Sequence, residues 1–400
     1  MCGSSAMDKH ESRNLVVCLD GTGNHPKDAT GTNVEIVFSL LDLSDPRKQV
    51  AYYDPGVGTF AASGAWTPLS RAASRASGLL FGVGLRQNLG EAYDWVIDHY
   101  QPGDRIFIFG FSRGAYTARA LAGLLDKVGV LHPGADNLVP YAVSQYAFPA
   151  GRWSPNSARK QKFPWSQWRT QRLERRTKSR FGALRHLSDV YAREVAPDAE
   201  NEHIRSVPVA YLGLWDTVKA GGVLGWDLYW PGTSKLSRVV KGRHALSIDE
   251  KRRPYRVIHV ADEAVRGGRI EEAWFAGVHS DVGGTFPKAK GDTFEKLSRI
   301  PLKWIVEGAV MQGLLVKDEV YSRRLSVVPA NAKGTIHTMP AVWGLLTYSR
   351  RRIHPGDGVH SSVLDRVADP GMDYRPALPP DCRAIDPTWV GGPTTPRDSS

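Results

Sequence analysis

Residues 105–125 read RIFIFGFSRGAYTARALAGLL. Two periodicities meet inside that stretch. Arg105 to Phe111 is a nearly unbroken apolar run, the pattern of a strand covered on both faces. From Gly114 to Val128 the residues Ala118, Leu121, Ala122 and Leu125 recur at helical spacing and predict an amphipathic helix. At the joint stands Gly110-Phe111-Ser112-Arg113-Gly114, a G-x-S-x-G motif. A strand that turns this sharply into a helix forces the middle residue into a strained conformation, and small flanking residues let the two backbones approach. The serine oxygen then projects above the carboxyl end of the sheet, beside the positive end of the helix dipole and its N–H groups. A plain glycine-containing turn uses the same letters. The strand before the motif and the helix after it favour a nucleophile at Ser112.

Upstream, Asn14 to Asp20 (NLVVCLD) reads as a short buried strand ending in the turn Gly21-Thr22-Gly23-Asn24. Val34 to Leu43 has helical periodicity stopped by Pro46, and Gln49 to Asp54 is a second strand ended by Pro55-Gly56. Residues 56–84 look like a loop with a short helix, and Arg86 to Tyr100 is an amphipathic helix with Leu89, Tyr93, Val96 and Ile97 on one face. Downstream, Val207 to Trp215 is a buried strand, Arg256 to Val260 and Glu272 to Val278 read as strands, and Ile300 to Leu315 as a helix. This alternation predicts an α/β fold with a mostly parallel central sheet flanked by helices. The domain is expected over residues 14–375, with 1–13 and 376–400 as disordered or irregular tails.

Composition narrows the class. Of the 400 residues 42% are apolar and 23% charged, which describes a globular chain with a sizeable core. No stretch reaches the roughly 18–20 apolar residues that span a bilayer. The start, MCGSSAMDKHESRN, has no apolar core of a signal peptide. Cys2, Cys18 and Cys382 make neither a disulfide framework nor a zinc site. Cytoplasmic synthesis is therefore expected, with signal-less export left open, and no metal or other cofactor is called for. The net charge of +11 suits anionic partners such as phospholipid head groups, nucleic acid or an acidic protein, or solubility alone. Between Arg152 and Arg185 lie eleven Lys or Arg against one acid, Glu174, interleaved with Trp153, Phe163, Trp165, Trp168 and Phe181. This segment interrupts the strand–helix alternation and reads as a basic, lid-like insertion over about residues 135–205.

A nucleophilic serine needs an oxyanion hole, a base and an acid that orients the base. The N–H of Arg113 is one expected oxyanion donor, and the Gly21–Thr22 turn the source of the second. The spacing of a nucleotide-binding glycine loop is absent there. Chain order in such sheets is Ser, then Asp or Glu, then His, at carboxyl ends of strands. Asp216, closing VPVAYLGLWD, fits the acid, and His279, opening HSDVGG, fits the base. His360 is the rival base and Asp281 the rival acid. His244, read within a helix, and His259, read within a strand, are less well placed.

In order along the chain come LDGTGN, GFSRGAYTARALAGLL, YLGLWDTVKA, HALSIDEKRRPY and WFAGVHSDVGG. Over roughly residues 14–285 these resemble a bacterial and fungal α/β-hydrolase family formerly classed as a domain of unknown function. That family includes the catalytic domain of type VI secretion phospholipase effectors. The resemblance implies an α/β-hydrolase fold, a Ser-Asp-His triad carried here by Ser112, Asp216 and His279, and esterase or lipolytic activity on carboxylic esters such as phospholipids. The chain is shorter than the large effectors and has HSDVGGT where the family often places a third glycine. A phospholipid substrate and peripheral contact with an anionic membrane follow as expectations. No nucleic acid is expected, and oligomeric state is not legible. The competing classes are a nucleic-acid-binding protein, supported by segment 152–185 alone, and a non-catalytic interaction module on the same scaffold.

Overall fold

In this computed structural model, residues 12–21, 31–56, 70–150, 165–195, 205–218, 227–286, 297–338 and 349–393 are described. The strands are β1 (Asn14–Leu19), β2 (Gln49–Asp54), β3 (Arg105–Phe111), β4 (Phe148–Ala150), β5 (Val209–Trp215), β6 (Asp227–Tyr229), β7 (Val239–Ser247), β8 (Ile270–Phe275), β9 (Gly358–His360) and β10 (Arg383–Ile385). The helices are α1 (Asn33–Leu40), α2 (Ser70–His99), α3 (Arg113–Lys127), α4 (Val139–Tyr146), α5 (Trp165–Tyr191), α6 (Asp262–Arg266), α7 (His279–Gly283), α8 (Arg299–Val310), α9 (Asp318–Leu325), α10 (Pro329–Ala332) and α11 (Ser361–Ala368).

Eight strands form one sheet in the order β10-β9-β8-β7-β5-β3-β1-β2, and every pairing in it is parallel. Successive side chains of a strand face opposite ways. Leu15, Val17, Ile106 and Ile108 therefore pack on one face, under α2 and α3. Val16, Cys18, Phe107 and Phe109 pack on the other, under α1 and α8. Strands buried on both faces are why these segments read as apolar runs rather than as alternations. The expected inward faces of α2 (Leu89, Tyr93, Val96, Ile97) and α3 (Ala118, Leu121, Leu125) are all fully buried.

Strand order reverses at β1. From there the chain steps outward to β2, then crosses back to β3 and proceeds through β5, β7 and β8. A crevice opens at the carboxyl ends of the strands at such a switch point, where ligands of open α/β sheets bind. Asp20 and Gly21 follow β1, and Ser112 follows β3.

Several expectations are corrected. Helix α2 begins at Ser70, so much of the segment read as a loop is helical; Ala and Leu sustain a helix despite its scattered glycines. Arg256 to Val260 is not a strand and makes one bridge, Val218 to Val257. Its carbonyls are taken up instead by the buried Arg119, which donates to Ile258 O at 2.7 Å and His259 O at 2.8 Å. His244 lies in strand β7, not in a helix. Strand β8 stops at Phe275, short of the expected Val278, with Gly277 at φ 112° beyond it. The tail from Pro376 is not irregular throughout, because β10 extends the sheet and Trp389 is buried. Arg13, placed in the disordered N-terminal tail, is held by Asp104, which accepts from its N–H at 3.1 Å. Within the expected insertion lie α4, β4 and α5, and β4 pairs antiparallel with β6 outside the main sheet. Trp153 and Phe163 lie outside the described residues. Among the described residues no helix is long and apolar enough to cross a membrane.

Candidate active site

Ser112 sits at φ 58°, ψ −120°, between β3 and α3. Two close approaches make this turn possible. A Cβ on Gly110 would lie 2.7 Å from Gly114 O, and one on Gly114 would lie 2.2 Å from Leu19 O. Only hydrogen fits at either place, which is the physical content of the two glycines of the motif. The Ser112 N–H donates to Trp215 O at 3.0 Å, tying the elbow to the end of β5.

Ser112, His279 and Asp216 form one hydrogen-bonded chain. Ser112 Oγ lies 2.8 Å from His279 Nε2, and His279 Nδ1 lies 2.6 Å from Asp216 Oδ2. They come from 167 and 63 residues apart in the chain. Asp216 has φ 43°, so two of the four described non-glycine residues with positive φ belong to this chain. Strain of this kind costs about 1–3 kcal/mol per residue and collects at functional sites.

The electrostatics fix the tautomer. Burial opposes ionisation of Asp216, but Arg351 and His279 beside it outweigh that and hold its carboxyl well below the usual carboxylate range. An ionised carboxylate only accepts, so Nδ1 of His279 carries the proton and Nε2 presents a lone pair to the serine hydroxyl. Burial also pushes the His279 pKa down, against the opposing pull of Asp216. The imidazole is thus neutral at neutral pH and able to take a proton. Phe111 stacks on the ring with centroids 4.7 Å apart, and Tyr255 meets it edge-on at 4.9 Å. His279 N–H donates to Glu250 Oε2 at 3.3 Å, and Glu250 is itself paired with Arg252.

Asp216 has further partners that nothing in the sequence singles out. Ser247 donates its N–H to Oδ1 at 3.0 Å and its hydroxyl to Oδ2 at 3.1 Å. Arg351 donates through Nη1 to Oδ1 and through Nη2 to Oδ2, the latter at 3.0 Å. The signal that could have found Ser247 is its place at the carboxyl end of β7, beside β5. Arg351 lies in Arg350-Arg351-Arg352, three like residues with no pattern to separate them.

The rival residues have other partners. Asp281 accepts from Val278 N–H at 3.0 Å and contacts His337 Nδ1 at 2.5 Å, so it closes the α7 turn that carries His279. His360, at the end of β9, stacks on Phe275 and bonds Ser362 Oγ at 2.8 Å, outside the Ser112 chain. His244 and His259 both bond Glu272, at 2.7 and 3.1 Å. A Cβ on Gly21 would lie 3.3 Å from Ser112 Cβ, which places that turn against the serine. The Gly21 N–H donates to Asp20 Oδ1 at 2.6 Å. Thr22 lies outside the described residues. Arg113 opens α3, whose first turn presents N–H groups with no helical acceptor. Among the described residues no group of three or more His, Cys, Asp and Glu could hold a metal ion.

An α/β-hydrolase sheet with a strained serine at its switch point defines the class. Within it, the chain belongs to the family described as the type VI secretion system phospholipase effector Tle1-like catalytic domain, whose model matches residues 13–308. A yeast relative, the uncharacterized protein YEL023C of Saccharomyces cerevisiae, is 29% identical over 244 residues. That match takes in 60% of this chain and 31% of the yeast protein. Among solved structures, an uncharacterized protein from Pseudomonas aeruginosa matches 82% of this chain and 49% of its own, at 17% identity and a TM-score of 0.42. The Tle1 effector bound to the VgrG spike of the type VI secretion system matches 74% of this chain and 57% of its own, at 17% identity and a TM-score of 0.34. The chain thus spans between about a third and somewhat over half of the length of these relatives.

Proposed function

We propose that this protein hydrolyses carboxylic esters of lipids, with phospholipid acyl esters as its substrate class, through a Ser112–His279–Asp216 triad. The observation that carries the reading is the hydrogen-bonded chain at the switch point, Ser112 Oγ to His279 Nε2 at 2.8 Å and His279 Nδ1 to Asp216 Oδ2 at 2.6 Å. Membership of a phospholipase catalytic-domain family supports the substrate class.

Ser112 Oγ attacks the acyl carbonyl carbon while His279 Nε2 takes the hydroxyl proton. The negative charge that develops on the carbonyl oxygen is met by the Arg113 N–H and a second donor from the Gly21–Thr22 turn. Collapse expels the alcohol, which receives the proton from the imidazolium and leaves an acyl-enzyme. Water, deprotonated by the same imidazole, then attacks the acyl carbon; the bond to Ser112 Oγ breaks, the imidazolium returns its proton to that oxygen, and the carboxylic acid leaves. Asp216 keeps the imidazole in the reactive tautomer and stabilises its charged form.

The basic segment 152–185 is assigned the role of a lid that rests on an anionic lipid surface. Tyr141 on α4 and Phe181, Val190 and Tyr191 on α5 are exposed, giving apolar contacts near a run of positive charge. Binding to vesicles containing anionic lipid should then weaken as salt rises. The defining test is a fluorophosphonate probe together with short p-nitrophenyl esters and phospholipid vesicles. Wild type should label and turn over substrate, and Ser112→Ala should do neither. Asp216→Asn should lose about 10⁴-fold in kcat, the size seen when the base takes the wrong tautomer. Undiminished labelling of Ser112→Ala would remove the nucleophile assignment.

A further inference from the structure

A triad acid needs a partner for the face it does not offer to the imidazole, and here that partner is a full positive charge. The Arg351 side chain is 5% exposed and Asp216 is completely buried. Arg351 reaches across 135 residues of chain to both carboxylate oxygens. It is not held there by Asp216 alone. Nη1 also donates to Ser247 O at 3.0 Å and Ser247 Oγ at 2.8 Å, and Nη2 to Tyr255 O at 2.6 Å. The guanidinium therefore bridges the acid turn after β5, the end of β7 and the Tyr255 segment, whose ring packs against His279. Its planar fork fixes direction as well as charge, which a lysine does not.

We propose that Arg351 is a positioning residue of the hydrolytic site: its guanidinium locks the Asp216 carboxylate in register with His279 Nδ1 and balances the carboxylate's charge. This rests on the reading of Ser112, His279 and Asp216 as the triad. An imidazole beside an uncompensated carboxylate binds its proton more tightly, and a cation behind the carboxylate cancels part of that pull. The charged and titratable groups around His279 are Asp216 after β5, with Arg351 behind it, and Glu250 and Tyr255 from the segment after β7, with Arg252 behind Glu250. Glu250 is already matched by Arg252, at 2.7 Å. Arg351 is thus the cation that balances Asp216, consistent with its lowering effect on the His279 pKa.

The test follows the rate of Ser112 labelling by a fluorophosphonate, and of ester hydrolysis, against pH in the full chain. Wild type should lose rate on the acid side with a midpoint below the ordinary histidine value. Arg351→Gln and Arg351→Met should move that midpoint up by roughly one pH unit. Arg351→Lys should leave the midpoint in place while lowering the plateau, because a point charge replaces the fork. An equal slowing at every pH in the neutral variants, with the midpoint fixed, would reduce Arg351 to a structural prop and overturn the proposal. If neither neutral variant folds by circular dichroism, Arg351→Lys decides: a fixed midpoint supports the charge argument, and a shifted one defeats it. Wild type that takes up no probe would instead remove the triad reading itself.

Discussion

At the scale of single residues, the site is built from places where an extra atom or a missing charge has no room to be absorbed. Gly114→Ala is the sharpest case. Its Cβ would fall 2.2 Å from Leu19 O and 2.5 Å from Asp20 O, both backbone atoms of the neighbouring strand end. Neither can yield without moving the Gly21 turn, so the variant should lose about 3 kcal/mol, read as a fall in the urea midpoint. A variant as stable as wild type would mean that the elbow is softer than its contacts imply. Ser112 was legible because its motif is local: five consecutive residues between a strand and a helix. Asp216 was legible from its place after the apolar run of β5, and His279 from the HSDVGG stretch that it opens. Ser247 and Arg351 were not, since their roles exist only once β7 and residues 349–352 are folded beside β5. The Gly21 N–H is a smaller surprise of the same kind, as it is occupied by the side chain of the residue before it.

At the scale of elements, legibility followed burial. Strands β1, β3 and β5 are covered on both faces and announce themselves as apolar runs. Strand β7 carries Lys241 and Arg243 in its exposed half, so its pattern is broken and His244 was read as helical. Strands β9 and β10 are three residues each and carry too little pattern to be seen. What holds β7 and β8 to the segment between them is a buried polar chain. Glu272 on β8 takes His244 Nδ1 at 2.7 Å and Val260 N–H at 2.9 Å with one oxygen, and His259 Nδ1 at 3.1 Å with the other. His244 Nε2 in turn meets Thr217, next to Asp216, at 3.0 Å. Glu272→Ala strips three donors of their acceptor and should cost about 3 kcal/mol. Denaturant unfolding checks it, and a loss below about 1 kcal/mol would show the chain to be incidental.

At the scale of the whole molecule, three histidines among the described residues are buried with depressed pKa values: His244, His279 and His360, each chiefly through desolvation. Unfolded, each binds a proton near pH 6.5, as a model histidine does. Between that pH and their lower folded values the unfolded chain holds more protons, so stability rises with pH there and is lost on acidification. His259 opposes this, since Glu272 outweighs its burial and raises its pKa, giving a contribution that fades as pH rises through the folded value. Its window lies above the unfolded value, so the three lowered histidines set a positive slope below about pH 6.5. Urea midpoints measured across that window should fall steadily on acidification, and a flat profile would contradict the burial of neutral imidazoles. The net charge of +11 adds self-repulsion in the same direction as carboxylates protonate.

The eight-strand order also bears on where the folding unit stops. The family match ends at residue 308, yet β9 and β10 lie beyond it and close the β8 side of the sheet, and Arg351 lies beyond it too. A fragment trimmed to the matched region would keep Ser112, Asp216 and His279 while baring the flank of β8, including Trp274 of the small cluster that Val359 and Val363 complete. An uncovered parallel strand is a template for pairing with another chain. A fragment ending at residue 308 should therefore sediment as larger species than the full chain, and a monomeric fragment would show that the last quarter of the sequence, in which no motif of the site occurs, is not needed to cover that flank.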